Sequence, residues 1–135
     1  MELDTGIPKE DRKEVSKKLK EVLGTSYALY IKSQKFHWNV EGKMFVDLHA
    51  KFEEIYQQLA EFNDTIAERI RALGFKAPGS LSEFSSLSEI DDSREMDLED
   101  REMIKVLVKD HEALIKLMRG AEEAADEADD LATED

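Results

Sequence analysis

Residues 36–74 read FHWNVEGKMFVDLHAKFEEIYQQLAEFNDTIAERIRALG, and this stretch decides the fold. From about Phe45 to Leu73, Leu48, Phe52, Ile55, Leu59, Phe62, Ile66 and Ile70 recur in steps of three and four, which is the signature of one apolar helical face. Gly74 stands where a helix C-terminus is expected to stop. Upstream, Asn39-Val-Glu-Gly42 ends an earlier helix running from about Lys9 to Trp38. Its inner face reads Val15, Leu19, Val22 or Leu23, Tyr30 and then His37. Two helices far longer than the usual dozen residues point to an all-α bundle.

Outward from there the chain keeps the same character. Prolines stand only at positions 8 and 78, and glycine occurs 6 times, so few breaks are expected. A polar, serine-rich connection from Lys76 to Asp97 holds a short helix with Leu81, Phe84 and Leu87, capped by Ser80 or Ser82. A third long helix is expected from Leu98 to about Glu127, with Ile104, Leu107, Val108, His111, Leu114, Ile115 and Met118 on one face. From Gly120 onward it becomes alanine-rich and acidic, and its last turns are expected to bury little. The segment Asp129 to Asp135 reads as an acidic turn with Thr133 placed to cap a fourth helix. Three amphipathic helices without the rest of a fourth leave an apolar groove open, so either the chain is shortened or another chain covers the groove.

Length and composition set the bounds. The 135 residues suffice for a single domain, 1–135, with one modest core. No cysteine is present, which removes disulfides and thiolate metal sites. The first residues, Met1 to Asp11, lack the apolar run of a secretory signal, and no window nears the roughly 18 apolar residues of a membrane span. A cytoplasmic protein is the expectation. The net charge of -13, from 32 acidic and 19 basic residues, disfavours broad attachment to nucleic acid and favours cations.

The chemistry lies in His37, His49, Glu53, Asp64 and Glu68. Asp64 and Glu68 sit one helical turn apart on one face, and so do His49 and Glu53. Paired carboxylates repel, and a divalent cation between them relieves the repulsion. Each element also has a plainer reading: acids four apart as a solvated face, histidines as hydrogen-bonded core residues, and Trp38 as packing at a helix end. Their combination favours mixed imidazole and carboxylate ligation, which suits iron, manganese or zinc. The Glu-x-x-His motif of di-iron bundles is missing, so a site gathered from two chains is expected rather than one inside a single bundle.

His37-Trp-Asn-Val-Glu-Gly42, Phe45, Leu48-His49, and Asp64-Thr-Ile-Ala-Glu-Arg69 with Leu73-Gly74 resemble the Dps family, the mini-ferritins also called DNA-binding proteins from starved cells. The resemblance implies a ferritin-like four-helix bundle with a short helix between helices two and three, of which the fourth helix is largely missing here. It implies a homo-oligomer, a hollow dodecamer, with ferroxidase sites at two-fold interfaces. His37 and His49 would come from one subunit and Glu53, Asp64 and Glu68 from its partner, with His37, His49, Asp64 and Glu68 carrying the catalysis and Trp38 beside the iron. The implied activity is oxidation and storage of Fe(II), with hydrogen peroxide as the preferred oxidant, protecting against oxidative stress.

Two features depart from that pattern. The basic residues Lys9, Arg12, Lys13, Lys17, Lys18 and Lys20 alternate with acids inside the first helix, so DNA binding is expected to be weak or absent. The other departure is the short C-terminus, whose acidic residues from Asp126 to Asp135 could line an iron pore or form a solvated tail. His111, on the apolar face of the third long helix, has no implied iron role and reads as structural. The competing reading is a helical protein-interaction module with a vestigial metal site.

Overall fold

The computed structural model describes residues 2–92 and 97–135, and these are helical and connecting segments throughout. The elements are α1 (Lys9–Asn39), α2 (Phe45–Ala72), α3 (Leu81–Leu87), α4 (Asp100–Glu127) and a single closing turn, α5 (Leu131–Glu134). Residues 93–96 of the serine-rich connection lie outside the described residues.

α1 is the shared element, packed against α2, α3 and α4. Contacts run Arg12 to Leu73, Ser26 to Asn63 and His37 to His49, so α2 descends antiparallel to α1. Lys32 meets Asp110, while Leu19 and Val22 share a groove with Ile115 and Ala121, so α4 also runs antiparallel to α1. α2 and α4 are therefore parallel, and the connection between them must travel back along the bundle. α3 is carried on that return path and lies on α1 where Gly24 stands. A Cβ there would come within 2.5 Å of Leu87 Cβ, so only glycine allows the approach. Ser80 caps α3 in a reciprocal capping box with Glu83, which decides between the two candidate serines. Just beyond α3, the Glu89 amide donates to Thr25 Oγ1 at 3.0 Å and pins the crossover to α1.

The core holds Val15, Leu19, Val22, Leu23, Leu29 and Phe36 from α1, with Phe52, Leu59 and Ile70 from α2 and Leu107 and Leu114 from α4. Each fully buried large apolar side chain among them contributes about 1.5–3 kcal/mol. Val22 and Leu23 are both buried, because α1 is covered from two sides and needs a wider apolar stripe than a helix with one neighbour. Gly74, at φ 97°, supplies the left-handed turn that stops α2.

Several boundaries and faces differ from the sequence reading. α4 begins at Asp100 rather than Leu98, since Glu99 is extended and caps it. The alanine-rich end of α4 does bury surface: Ala121, Ala125 and Ala128 are core residues, their small side chains allowing close packing. Val108, Ile115 and Met118 are exposed, and Ile115 and Met118 line an open groove rather than the core. The cap of α5 is Asp130, which accepts from the Thr133 amide at 3.2 Å, not Thr133 itself. Asp130 is buried and ion-paired with Arg69 at 3.5 Å, and Arg69 also donates to Thr133 Oγ1 at 2.8 Å, so α2 fixes the closing turn. Between α2 and α4 an open groove of about 1070 Å³ is lined by Phe62, Ile66, Ile115, Met118 and Ala121, as an uncovered bundle requires.

Candidate metal centre

At the junction of α1 and α2, the short Val40–Met44 connection brings His37 and His49 face to face. The two rings stack with centroids 3.8 Å apart and planes inclined by 18°. His37 Nδ1 lies 2.6 Å from the His49 carbonyl oxygen, and His49 Nδ1 lies 2.7 Å from the His37 carbonyl oxygen. A carbonyl oxygen only accepts, so each Nδ1 carries the proton and donates it. That fixes the tautomer: both Nε2 atoms keep their lone pairs, the form in which imidazole binds a metal. His37 is buried and His49 half-buried, with Phe45 stacked on His49 at 5.1 Å.

The acids are distributed along α2. Glu53 is one turn from His49, half-buried, and close enough to Tyr56 to act on it. The Tyr56 phenol is pushed above its usual value, first by desolvation and then by the Glu53 charge and by Tyr30. Asp64 and Glu68 are exposed, one turn apart. At about 1.5 Å per residue, α2 rises roughly 22 Å from His49 to Asp64 and roughly 16 Å from Glu53 to Asp64. One chain therefore brings His37 and His49 into contact, with Glu53 one turn further along α2 and Asp64 and Glu68 beyond it, but does not gather the five around a single ion. No group of three or more such side chains converges among the described residues. Placing Glu53 with Asp64 and Glu68 on the partner's side does not fit this rise; the helix groups it with the histidines.

Trp38 is not packed at the helix end. It is 65% exposed, and Ile31, Phe45 and Val46 are exposed too, with Phe45 stacked on His49, so the imidazole pair borders exposed apolar side chains. His111 bonds through Nδ1 to the Leu107 carbonyl one turn earlier in its own helix at 2.7 Å. Sequence reasoning missed Tyr56, which meets His37 edge-on at 5.4 Å, and read Tyr30 only as part of the inner face of α1.

A ferritin-like domain matches residues 16–135. Across 90% of its length the chain is 34% identical to DNA protection during starvation protein 2 of Bacillus anthracis, covering 85% of that protein. The chain belongs to the Dps family of ferritin-like proteins. It is also 37% identical, over 98% of its length, to an uncharacterized low temperature-induced protein of Nostoc, covering 75% of that chain. Among solved structures, the Dps protein of Vibrio cholerae O1 superposes with a TM-score of 0.92 at 29% identity, over 99% of this chain and 84% of the other. That protein is described as a member of a superfamily of ferritin-like diiron-carboxylate proteins. A Dps protein from Bacillus brevis superposes with a TM-score of 0.88 at 33% identity, over 93% and 83%. Both likenesses extend over the segment that bears the stacked histidines, and this Dps-family chain carries its mixed imidazole and carboxylate set on the first two helices of the shared bundle.

Proposed function

We propose that this chain is a ferroxidase and iron-storage mini-ferritin whose oxidation site is shared between two copies. His37, His49 and Glu53 are supplied by one copy, and Asp64 and Glu68 by the other. The observation that carries this reading is the reciprocal Nδ1 hydrogen bonding of the two histidines, which orients two free Nε2 atoms beside an exposed apolar surface. Such an apolar surface is suited to burial against a second copy of the same chain, and a two-fold contact repeats the site twice. The roughly 22 Å between His49 and Asp64 makes the second copy necessary.

Fe(II) is the substrate. With hydrogen peroxide as the preferred oxidant, two Fe(II) ions each give up one electron. The O–O bond takes both electrons and two protons, leaving two waters and two Fe(III). Imidazole and carboxylate ligation holds the ions and stabilises the higher charge of the product. Ligands this few bind the first ion firmly and the second weakly. We further propose a dodecameric shell that stores the ferric product, in the cytoplasm, as protection against peroxide. DNA is bound weakly or not at all, consistent with the net charge of -13. No helix among the described residues is long and apolar enough to cross a membrane.

Subunit mixing tests the shared site. A His37→Ala/His49→Ala chain and an Asp64→Asn chain should each be inactive in peroxide-driven Fe(II) oxidation. Unfolded and refolded together, they should regain roughly a quarter of the sites, since each mixed pair restores one site of two. Mixtures as inactive as the separate chains would show that the ligands are not shared. An anaerobic Fe(II) titration with no saturable signal would favour the interaction-module reading.

A further inference from the structure

A line of aromatic contacts leaves the histidine pair and crosses the bundle. The Tyr56 ring of α2 meets His37 edge-on at 5.4 Å and 68°. Tyr30 of α1 meets Tyr56 edge-on at 5.8 Å and 88°. Tyr27, one turn earlier on α1, lies 5.5 Å from Tyr30 and stacks on Phe84 of α3 at 4.3 Å. The three phenols are the chain's full set of tyrosines, and all three fall on this one line. Packing accounts for the rings but not for the hydroxyls. None of the three hydroxyls donates or accepts a hydrogen bond among the described residues, so phenylalanine would fill the same space. What a phenol adds over a phenyl ring is ease of one-electron oxidation.

We propose that Tyr56, Tyr30 and Tyr27 form a relay that draws a single oxidising equivalent away from the iron site when peroxide is cleaved by one electron instead of two. The relay rests on the ferroxidase reading above. When a lone Fe(II) is present, it reduces peroxide to hydroxide and hydroxyl radical and becomes Fe(III). The radical takes the hydrogen atom of the Tyr56 hydroxyl, giving water and a Tyr56 phenoxyl radical. Tyr30 passes an electron to Tyr56 and Tyr27 passes one to Tyr30, each half-exposed phenol giving its proton to solvent when oxidised and regaining one when reduced, which leaves the radical on Tyr27. A second Fe(II) arriving later returns one electron along the line, and with one proton the tyrosine is restored. The sum is two Fe(II), one peroxide and two protons giving two Fe(III) and two waters, the balance of the paired reaction. A site that holds its second iron weakly thus still releases no hydroxyl radical. Tyr56 is placed for the first step by its edge-on contact with the His37 ring at 5.4 Å.

Rapid freeze-quench EPR tests the relay. The full-length protein is loaded with one Fe(II) per site and mixed with peroxide, and the tyrosyl signal is measured per iron oxidised. Growth on ring-deuterated tyrosine identifies the signal by its narrowing. The wild type should give a tyrosyl signal, Tyr56→Phe should lower its yield severalfold, and a spin trap should capture correspondingly more hydroxyl radical. Peptide mapping should find oxidation at Tyr27 in the wild type and at Tyr30 in Tyr27→Phe. Saturable iron oxidation with no tyrosyl signal, with a signal from Trp38 instead, or with a yield unchanged in Tyr56→Phe would overturn the relay while leaving the ferroxidase site standing. Absence of saturable iron oxidation would instead sink the site itself. The relay is then read in metal-free Trp38→Phe protein oxidised by a photogenerated ruthenium(III) complex. A radical that reaches Tyr27 through Tyr56 supports it, and one that stays at the tyrosine first oxidised overturns it.

Discussion

His37 and His49 each donate a ring N–H to the other's backbone carbonyl, at 2.6 and 2.7 Å, across the turn that joins α1 to α2. The pair is thus both a clasp between two helices and a fixed presentation of two Nε2 atoms. Replacing either residue by alanine removes one ring nitrogen and the ring stacked on its partner, while the partner keeps its bond to the backbone carbonyl. Fe(II) affinity should fall by about 10–100-fold or more in anaerobic titration, the range found when even a ligand's supporting hydrogen bond is lost. Asp64→Asn and Glu68→Gln should abolish most peroxide-driven oxidation. His111→Leu should keep it, because His111 is satisfied by the Leu107 carbonyl within its own helix. Equal loss in all of these variants would show that the site lies elsewhere.

Lys32 and Asp110 form an ion pair between α1 and α4, at 2.7 Å, with side-chain exposures of 3% and 12%. Neither charge can be left alone at such burial. Asp110→Ala should destabilise the fold by about 3–5 kcal/mol, read as a lowered urea midpoint. A Lys32→Met/Asp110→Leu double variant should recover most of that loss, since an apolar pair avoids the desolvation of both charges. A double variant as unstable as the single one would mean that the pair contributes more than it costs.

The start of α3 should be acid-sensitive. Glu83 accepts from the Ser80 and Gly79 amides while Ser80 Oγ accepts from the Glu83 amide, and the Ser80 side chain followed by those amides holds the Glu83 carboxyl below its usual value. A carboxyl with a lowered folded-state pKa stabilises the folded form above the ordinary carboxylate range and loses that effect as pH falls through the lowered value. Hydrogen exchange at the first amides of α3 should accordingly speed up on acidification beyond the intrinsic rate. Ser80→Ala should weaken that pH dependence, leaving the part due to the Gly79 and Ser80 amides, and cost about 1 kcal/mol of local stability.

Arg12 is unavailable to a nucleic acid. Its guanidinium is buried, donating to the Leu73 carbonyl at 2.8 Å and, through Nε, to the Ile7 carbonyl at 3.1 Å. Mobility-shift assays in physiological salt should therefore show weak or no DNA binding, and Arg12→Gln should leave that result unchanged while lowering thermal stability. Tight binding by the native chain would contradict the charge argument.

The amount that could be read without a structure differs between fold and site. The helices from Phe45 and to Asn39 were legible because each has an apolar stripe and a punctuated end. The faces of α4 were not, since apolar residues on two sides of one helix cannot be told apart by period alone. Ile115 and Met118 are exposed in the groove, while Ala121 and Ala125 are buried in the core, where small side chains carry no hydrophobic signal but allow close packing. The cap at Asp130 was hidden because its choice over Thr133 depends on Arg69, far away in sequence.

By itself the sequence determined the all-helical bundle, the placement of histidines and acids on the first two long helices, and the family resemblance, for these follow from local spacing. The tertiary structure decided which ligands stand together. The turn between α1 and α2 folds His37 onto His49, whereas the straight rise of α2 carries Asp64 roughly 22 Å and Glu68 roughly 28 Å away, separations that a rigid helix cannot close. It also lined up three tyrosines from two helices, a relationship that no sequence spacing encodes because it exists only where the helices pack.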